Sequence, residues 1–317
     1  MSASVQEPTL QVSAPLSQLA VAYSVCRGIT RSAAKNFYYA FLVLPRRKRE
    51  ALCAVYAFMR RCDDIADDAM LPVCERKNKL ETCLESLHRA LAGEATDDAV
   101  LLALTDAQRR YRIAPELLEQ LAYGTMMDVQ ESVDQWPQAG APAPPELAVR
   151  YRTFEDLYQY CYRVASVVGL VCIRVFGYRD PAAEPLAERC GLAFQLTNII
   201  RDVKEDAEMG RVYLPEKDLA AFGIAPSELR ALADATRFRP LLAMEAERAR
   251  EFYGAGDELI PLIDEDSQPA LWVLVNIYRK LLEKIAQHQY DVFHGKISLT
   301  VREKLTILAK GFLKRLA

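Results

Sequence analysis

Apolar residues recur at three- and four-residue intervals along most of the chain, which is the spacing of one face of an α-helix. The segments with this spacing are 47–67, 115–130, 154–176, 184–203, 227–253, 268–290 and 299–316. Helix-boundary residues mark several of their ends, namely Pro45, Pro115, Gly177 and Pro226-Ser227. No alternating, β-branched segments joined by hairpin turns occur. The pattern predicts an all-α fold, a single-domain helical bundle around a shared interior.

Two segments depart from this pattern. Residues 1–15 are polar and contain Pro8 and Pro15, which predicts a flexible N-terminal tail. Residues 136–145 hold four prolines and one glycine, which predicts an exposed loop. The loop could be a domain boundary, but helical patterns on both sides favour a surface excursion within one domain, 16–317.

Composition narrows the class of protein. The 317 residues are 51% hydrophobic, enough for a large core, and the net charge of −3 gives no basic footprint for nucleic acid. The eight cysteines form no C-x-x-C pair, and the three histidines lack metal-ligand spacing. We expect reduced thiols in a cytoplasmic protein, with neither a signal peptide nor a membrane-spanning segment.

Two acidic pairs carry the candidate chemistry. Asp63 and Asp67 lie four residues apart, as do Asp202 and Asp206, and both pairs fall in predicted helices. Residues four apart share a helix face, where two carboxylates repel each other unless a cation lies between them. All-oxygen ligands select hard cations, and Mg²⁺ typically binds one or two carboxylates together with substrate phosphates. A solvated acidic face is the alternative, but the preceding turns, 54–59, are almost wholly apolar.

The second pair belongs to a longer polar stripe. Gln195 and Asn198 advance toward Asp202 and Asp206 in steps of three, four and four, so all four lie on one face of an otherwise apolar helix. This pattern favours a metal-lined internal cavity. Arg201 beside the stripe offers donors suited to phosphate oxygens. Arg211 could serve in the same way or be an ordinary surface arginine.

Aromatic and basic residues accompany the pairs. Residues 31–39 combine arginine, lysine and aromatic side chains, and Tyr56 and Arg60 precede Asp63 at one-turn intervals. These groups could hold a diphosphate and stabilise a carbocation, although core packing is the more common role of any single aromatic residue. A further stripe forms either core or the wall of an apolar pocket; it contains Tyr160, Val164, Val168 and Cys172.

The last predicted helix, 301–317, mixes basic and apolar residues. It could lie on an anionic membrane surface. The pattern is more typical of a final helix packed on the bundle with its basic side in water.

The motifs together resemble the squalene/phytoene synthase family of head-to-head prenyltransferases, over roughly residues 20–310. The segments that carry the resemblance are Lys35–Phe41, Tyr56–Asp67, Tyr160–Ala165, Gln195–Asp206 and Gly210–Pro215. The resemblance implies a helical bundle of the isoprenoid synthase type with a central apolar cavity. Two features depart from the family: Ala33-Ala34 replaces a turn that often contains serine or histidine, and 136–145 is similar to an insertion.

The resemblance also implies roles for particular residues. Metal ligands would be Asp63, Asp67, Asn198, Asp202 and Asp206. Substrate contacts would come from Lys35, Asn36, Phe37, Tyr56, Arg60, Gln195, Arg201, Arg211 and Tyr278. Catalytic residues would be Asp63, Asp67, Asp202, Asp206 and Tyr160. Two or three Mg²⁺ ions are expected with substrate, and no NADPH.

Segments 164–172 and 290–293 are most similar to bacterial hopanoid-pathway members that stop at presqualene diphosphate. Two farnesyl diphosphates are therefore the expected substrates. Phytoene synthesis from geranylgeranyl diphosphate and full squalene or dehydrosqualene synthesis remain alternatives, and so do terpene cyclisation and a non-catalytic assembly role. Peripheral contact with the inner face of the membrane and handover of product to a downstream enzyme are further expectations.

Overall fold

The computed structural model describes residues 16–34, 36–68, 70–133, 149–231 and 235–316. The predicted tail, 1–15, the predicted loop, 136–145, and Lys35 lie outside these residues, so the domain division stays a prediction. The helices are α1 Leu16–Ala33, α2 Phe37–Phe41, α3 Arg46–Ala66, α4 Val73–Leu91, α5 Ala99–Tyr111, α6 Pro115–Val133, α7 Phe154–Cys161, α8 Val167–Phe176, α9 Ala183–Glu208, α10 Glu216–Ala221, α11 Glu228–Ala231, α12 Ala235–Leu259, α13 Gln268–Gln287 and α14 Val301–Leu316. The all-α prediction is confirmed.

Local chemistry explains where several helices begin and end. Pro45 immediately precedes α3, and Pro115 is the first residue of α6, where its missing N–H leaves no helical hydrogen bond unmade. Thr153 and Asp156 form a reciprocal capping box at the start of α7. Gly177 ends α8 with a φ of +79°, a conformation that favours glycine. The predicted boundaries at Pro45, Pro115 and Gly177 therefore match the fold.

Helix α9 lies at the centre of the bundle and packs against α8, α12 and α13. Between α7 and α8 the chain continues through one π-helical turn, Tyr162–Ser166. The continuous segment Phe154–Phe176 is long and apolar enough to cross a membrane by length and composition, but half of it is buried within the bundle. It is an interior helix of this fold, contacting α6 and α9.

Two glycines let the interior helices approach by their backbones. A Cβ added at Gly191 of α9 would lie 2.6 Å from the Ala165 carbonyl oxygen. A Cβ added at Gly169 of α8 would lie 2.6 Å from the Ala187 carbonyl oxygen. Because Gly169 faces Ala187 and Gly191 faces Ala165, the two helices run antiparallel. This contact fixes the register of the two walls of the central cavity.

Candidate active site

A cavity of about 130 Å³ runs between α8 and α9 and is closed by α3, α12 and α13. Its lining is mostly apolar, with polar side chains confined to one end. The residues from the predicted stripe 160–172 that line it are Val164, Val168 and Cys172. Burial raises the pKa of the Cys172 and Cys190 thiols in its wall to about 12, so both stay protonated and unreactive at neutral pH.

The polar end of the cavity is built from the stripe on α9. Gln195 and Asn198 line the cavity, and Asp202 and Asp206 follow on the same helix, one and two turns further on. The predicted helical stripe is therefore present, with its amides inside the cavity and its carboxylates beyond. This arrangement makes the Asp202 end the mouth.

The first acidic pair lies at the C-terminal end of α3. Asp63 is in the last turn of α3 and accepts a hydrogen bond from Thr125 Oγ1 at 3.4 Å. Asp67 is the C-cap of that helix, and its Oδ1 lies 3.3 Å from Arg211 Nη1. Arg211 follows α9, 144 residues along the chain from Asp67. The Arg211 N–H donates to the Asp206 carbonyl at 2.7 Å, so this arginine links the C-terminal end of α9 to Asp67 at the end of α3.

Two cations neutralise Asp202. Arg201 Nε donates to Asp202 Oδ1 at 2.8 Å, and Lys296 Nζ lies 3.3 Å from the same oxygen. Lys296 also pairs with Glu205. It belongs to the connection between α13 and α14, which is held over the mouth because Lys204 Nζ donates to the Phe293 carbonyl at 2.9 Å.

Tyr278 of α13 organises the predicted binding residues near the mouth. It is 3% exposed, and its ring stacks on Phe194 with centroids 4.4 Å apart and meets the edge of Phe37 at 5.9 Å. Burial is the largest cause of its raised pKa, which Arg201 and hydrogen bonds to Asn198 and Asn36 oppose. Four candidates (Asn36, Phe37, Asn198 and Arg201) therefore surround this tyrosine.

Two other predicted binding residues lie beside this group. The ring centroid of Tyr56 is 6.5 Å from that of Phe37, and burial raises the pKa of its hydroxyl to about 12. Arg60 is paired with Asp64 one turn further along α3.

Tyr160 lies apart from the cavity lining. It is buried in an aromatic stack, with its ring centroid 5.1 Å from that of Tyr213 and 5.4 Å from that of Tyr151. Tyr213 follows the loop that carries Arg211, and the Arg150 N–H donates to the Val212 carbonyl at 3.3 Å beside it. The position suits support of the Arg211 loop; the predicted catalytic role of Tyr160 stays a prediction.

The sequence profile of squalene/phytoene synthases matches residues 30–303. The chain belongs to the squalene/phytoene synthase family. It is 34% identical over 315 residues to a 15-cis-phytoene synthase of Synechococcus elongatus, covering 94% of this chain and 95% of that protein. It is 35% identical over 298 residues to a phytoene synthase of Mycobacterium tuberculosis, covering 93% of this chain and 91% of that protein.

Solved structures of the family share the fold. A dehydrosqualene synthase in complex with ligand superimposes with a TM-score of 0.81 at 30% identity, covering 94% of this chain and 98% of that one. Squalene synthase HpnC from Alicyclobacillus acidocaldarius superimposes with a TM-score of 0.74 at 29% identity, covering 88% of this chain and 98% of that one. The family condenses prenyl diphosphates head to head and is generally dependent on a divalent metal.

The residues at the mouth fit such a metal. Among the described residues no group of three or more His, Cys, Asp or Glu side chains could hold a metal ion by itself. The mouth instead presents two oxygen-donor pairs, and each pair already attracts a cationic side chain, Arg211 on Asp67 and Lys296 on Asp202. Substrate diphosphate oxygens would supply the remaining ligands that a hard cation requires.

Sequence reasoning missed Lys296. It falls outside the periodic helices, and its 91-residue separation along the chain from Glu205, the nearer of its two partners, gave no local pattern. A basic residue in a polar segment between two helices is usually a solvated side chain. Only the folding of the 288–300 connection over α9 brings it to Asp202.

Proposed function

We propose that this family member condenses two farnesyl diphosphates to presqualene diphosphate, with release of one diphosphate, in a reaction that requires Mg²⁺. The observation that carries the proposal is the polarity of the site. The cavity is apolar except at one end, beyond which α9 continues to Asp202, and Arg201, Arg211 and Lys296 pair with Asp202 and Asp67. A diphosphate with a long hydrocarbon chain matches both halves of this site.

In the proposed reaction the C1–O bond of the donor breaks, and its electron pair leaves with diphosphate. The double bond of the acceptor attacks the resulting allylic carbon, and loss of a proton closes the cyclopropane. Arg201, Arg211 and Lys296 neutralise the departing diphosphate. Asp63, Asp67, Asn198, Asp202 and Asp206 would hold Mg²⁺, which when bound supplies Lewis-acid stabilisation of the leaving group.

The cavity wall has a second task, because water would quench an allylic cation. Apolar side chains keep the reacting carbons dry, while the faces of Phe37, Phe194 and Tyr278 can stabilise positive charge near the mouth. Gln195 and Asn198 orient the diphosphate end of the substrate. No NADPH is needed, because ionisation, attack by the double bond and loss of a proton involve no reduction.

Phytoene synthesis from two geranylgeranyl diphosphates is the second candidate, favoured by the names of the relatives at 34% and 35% identity. Purified protein should be incubated with each prenyl diphosphate and Mg²⁺, with and without NADPH, and the products identified by mass spectrometry. A cyclopropyl diphosphate ester from farnesyl diphosphate supports the first proposal. A phytoene hydrocarbon from the longer substrate, with farnesyl diphosphate unused, would replace it by the second.

A further inference from the structure

The end of the cavity farthest from the mouth is closed by the C-terminal turn of α8. Since α8 and α9 are antiparallel, residues further along α8 lie deeper. The wall runs from Val164 near Gly191 to Phe176, roughly 18 Å at about 1.5 Å per residue. Phe176 is 2% exposed and forms the floor together with Leu259 and Leu271, from the end of α12 and the start of α13.

A lysine outside the cavity binds the backbone of this floor at Phe176. Lys48, in the first turn of α3, has a side chain only 13% exposed. Its Nζ lies 2.7 Å from the Phe176 carbonyl oxygen, 2.6 Å from Asp266 Oδ1, 3.0 Å from Ser267 Oγ and 3.2 Å from Asp264 Oδ2. An ammonium group has three donors, so these four acceptors use its full capacity.

The partners of Lys48 are themselves fixed to the floor. Ser267 is fully buried, directly precedes α13, and its Oγ lies 3.0 Å from the Phe176 carbonyl oxygen. The Asp264 N–H donates to the Gly177 carbonyl at 2.9 Å. A side chain at Gly177 would collide with the Asp264 carboxylate, 2.1 Å from the added Cβ. We call Lys48, Asp264, Asp266, Ser267 and the Phe176 carbonyl the floor clamp.

The clamp ties three helix ends together at the point where a growing hydrocarbon would press. The aromatic ring of Phe176 faces the cavity while its carbonyl is held by Lys48 and Ser267. Moving the backbone of Phe176 outward, and its ring with it, therefore requires breaking charge-assisted hydrogen bonds in a partly buried network. Apolar packing alone would give way more easily, since apolar contacts have no preferred direction.

We propose that Lys48 is a positioning residue that fixes the cavity floor and so limits the length of prenyl chain the protein accepts. The inference rests on the proposed function and names the feature that selects its substrate. Lys48 touches no substrate and acts through Phe176 and Leu271.

The test compares Lys48→Met with Lys48→Arg and with a control, Lys79→Met, whose exposed ion pair with Glu75 spans 3.6 Å. The kcat/KM values for farnesyl and geranylgeranyl diphosphate are measured for each. Lys48→Met should shift their ratio about tenfold toward the longer substrate, a typical size for a change in apolar pocket contacts. Lys48→Arg should stay near the wild-type ratio, and Lys79→Met should not change it.

A folded Lys48→Met protein with an unchanged ratio would overturn the proposal. If that variant does not fold, Ser267→Ala decides: a shift in the same direction supports the clamp, and no shift overturns it. Hydrogen exchange gives a readout independent of turnover, because the Asp264 amide should exchange faster in Lys48→Met and not in Lys79→Met. If wild-type protein releases diphosphate from neither substrate, the proposed function fails. The clamp is rejected separately if the Asp264 amide exchanges at the wild-type rate in Lys48→Met.

Discussion

Two separate clusters of acidic and basic side chains use the same residue types differently. The mouth cluster contains Arg201, Asp202, Glu205 and Lys296. The scaffold cluster, between α7, α10 and α12, contains Asp218, Glu245 and Arg248. The first follows the cavity-lining Gln195 and Asn198 along α9, and the side chain of its Lys296 is 49% exposed. In the second, the side chain of Glu245 is 2% exposed.

This difference separates function from stability. At the mouth the carboxylates can exchange their cationic partners for a ligand, because water and substrate reach them. In the scaffold Arg248 lies between Asp218 and Glu245, at 2.8 Å and 2.7 Å, with its guanidinium 4.3 Å from the Phe154 ring centroid. Substitutions at the mouth should therefore reduce turnover, whereas substitutions in the scaffold should change the free energy of unfolding.

The largest effect is expected for Asp202→Ala. If Asp202 binds Mg²⁺ as proposed, its loss removes several kcal/mol of charge stabilisation, so kcat/KM should fall by about 10³-fold or more. The thermal midpoint should fall by less than that of a scaffold variant, because the Asp202 side chain is 19% exposed whereas that of Glu245 is 2% exposed. Glu208→Gln, near the end of the same helix, is the control. Near-normal turnover by Asp202→Ala with Mg²⁺ would contradict the assignment of the mouth cluster to function.

Arg248→Met should lower the free energy of unfolding and leave turnover by the folded protein unchanged. Removing one partner of a buried ion pair leaves Glu245 uncompensated, at a cost of about 3 kcal/mol in the free energy of unfolding at pH 8. The loss should be smaller at pH 5, where Glu245 can protonate. Urea unfolding measures it, with Arg250→Met as the exposed control on α12. A scaffold variant that lost activity without losing stability would contradict the assignment of this cluster to stability.

Glu245→Gln tests the same cluster by pH. Burial, with a smaller contribution from Asp218, raises the pKa of Glu245 to about 7, against the opposing effect of Arg248. Between the ordinary value near 4.5 and about 7, the folded state binds more protons than the unfolded state, so stability falls as pH rises. The glutamine variant should lose this decline, on the order of 2 kcal/mol. An identical pH slope in Glu245→Gln and wild type, with exposed Glu247→Gln as control, would reject the assignment.

The smallest effect is expected for Lys296→Met. If Lys296 transfers from Asp202 to the substrate diphosphate, its loss should raise KM about tenfold, or ~1.4 kcal/mol, with a smaller change in kcat. Initial rates over a range of prenyl diphosphate concentrations measure this. Lys280→Met, on the surface of α13, should leave both constants unchanged. A lowered KM would mean that Lys296 only competes with ligand.

Much of the candidate site was predictable because it is local. The stripe from Gln195 to Asp206 and the wall from Val164 to Cys172 follow from helical periodicity, and the fold confirms both patterns as faces of α9 and of the α7–α8 segment. The sequence patterns could not decide whether Arg211 was a surface residue. Its contact with Asp67 depends on where the chain leaves α9, which no local spacing encodes.

The sequence by itself determined the helices, their boundaries at Pro45 and Gly177, and the two carboxylate pairs, because each depends on residues within a few turns of one another. Tertiary structure alone decided that Arg211 contacts Asp67, that Lys296 contacts Asp202, and that Lys48 Nζ contacts the Phe176 carbonyl oxygen 128 residues away. These contacts arise from the packing of helices, and the close approach at Gly169 and Gly191 sets their register. Side chains far apart in the chain become neighbours only once that register is fixed.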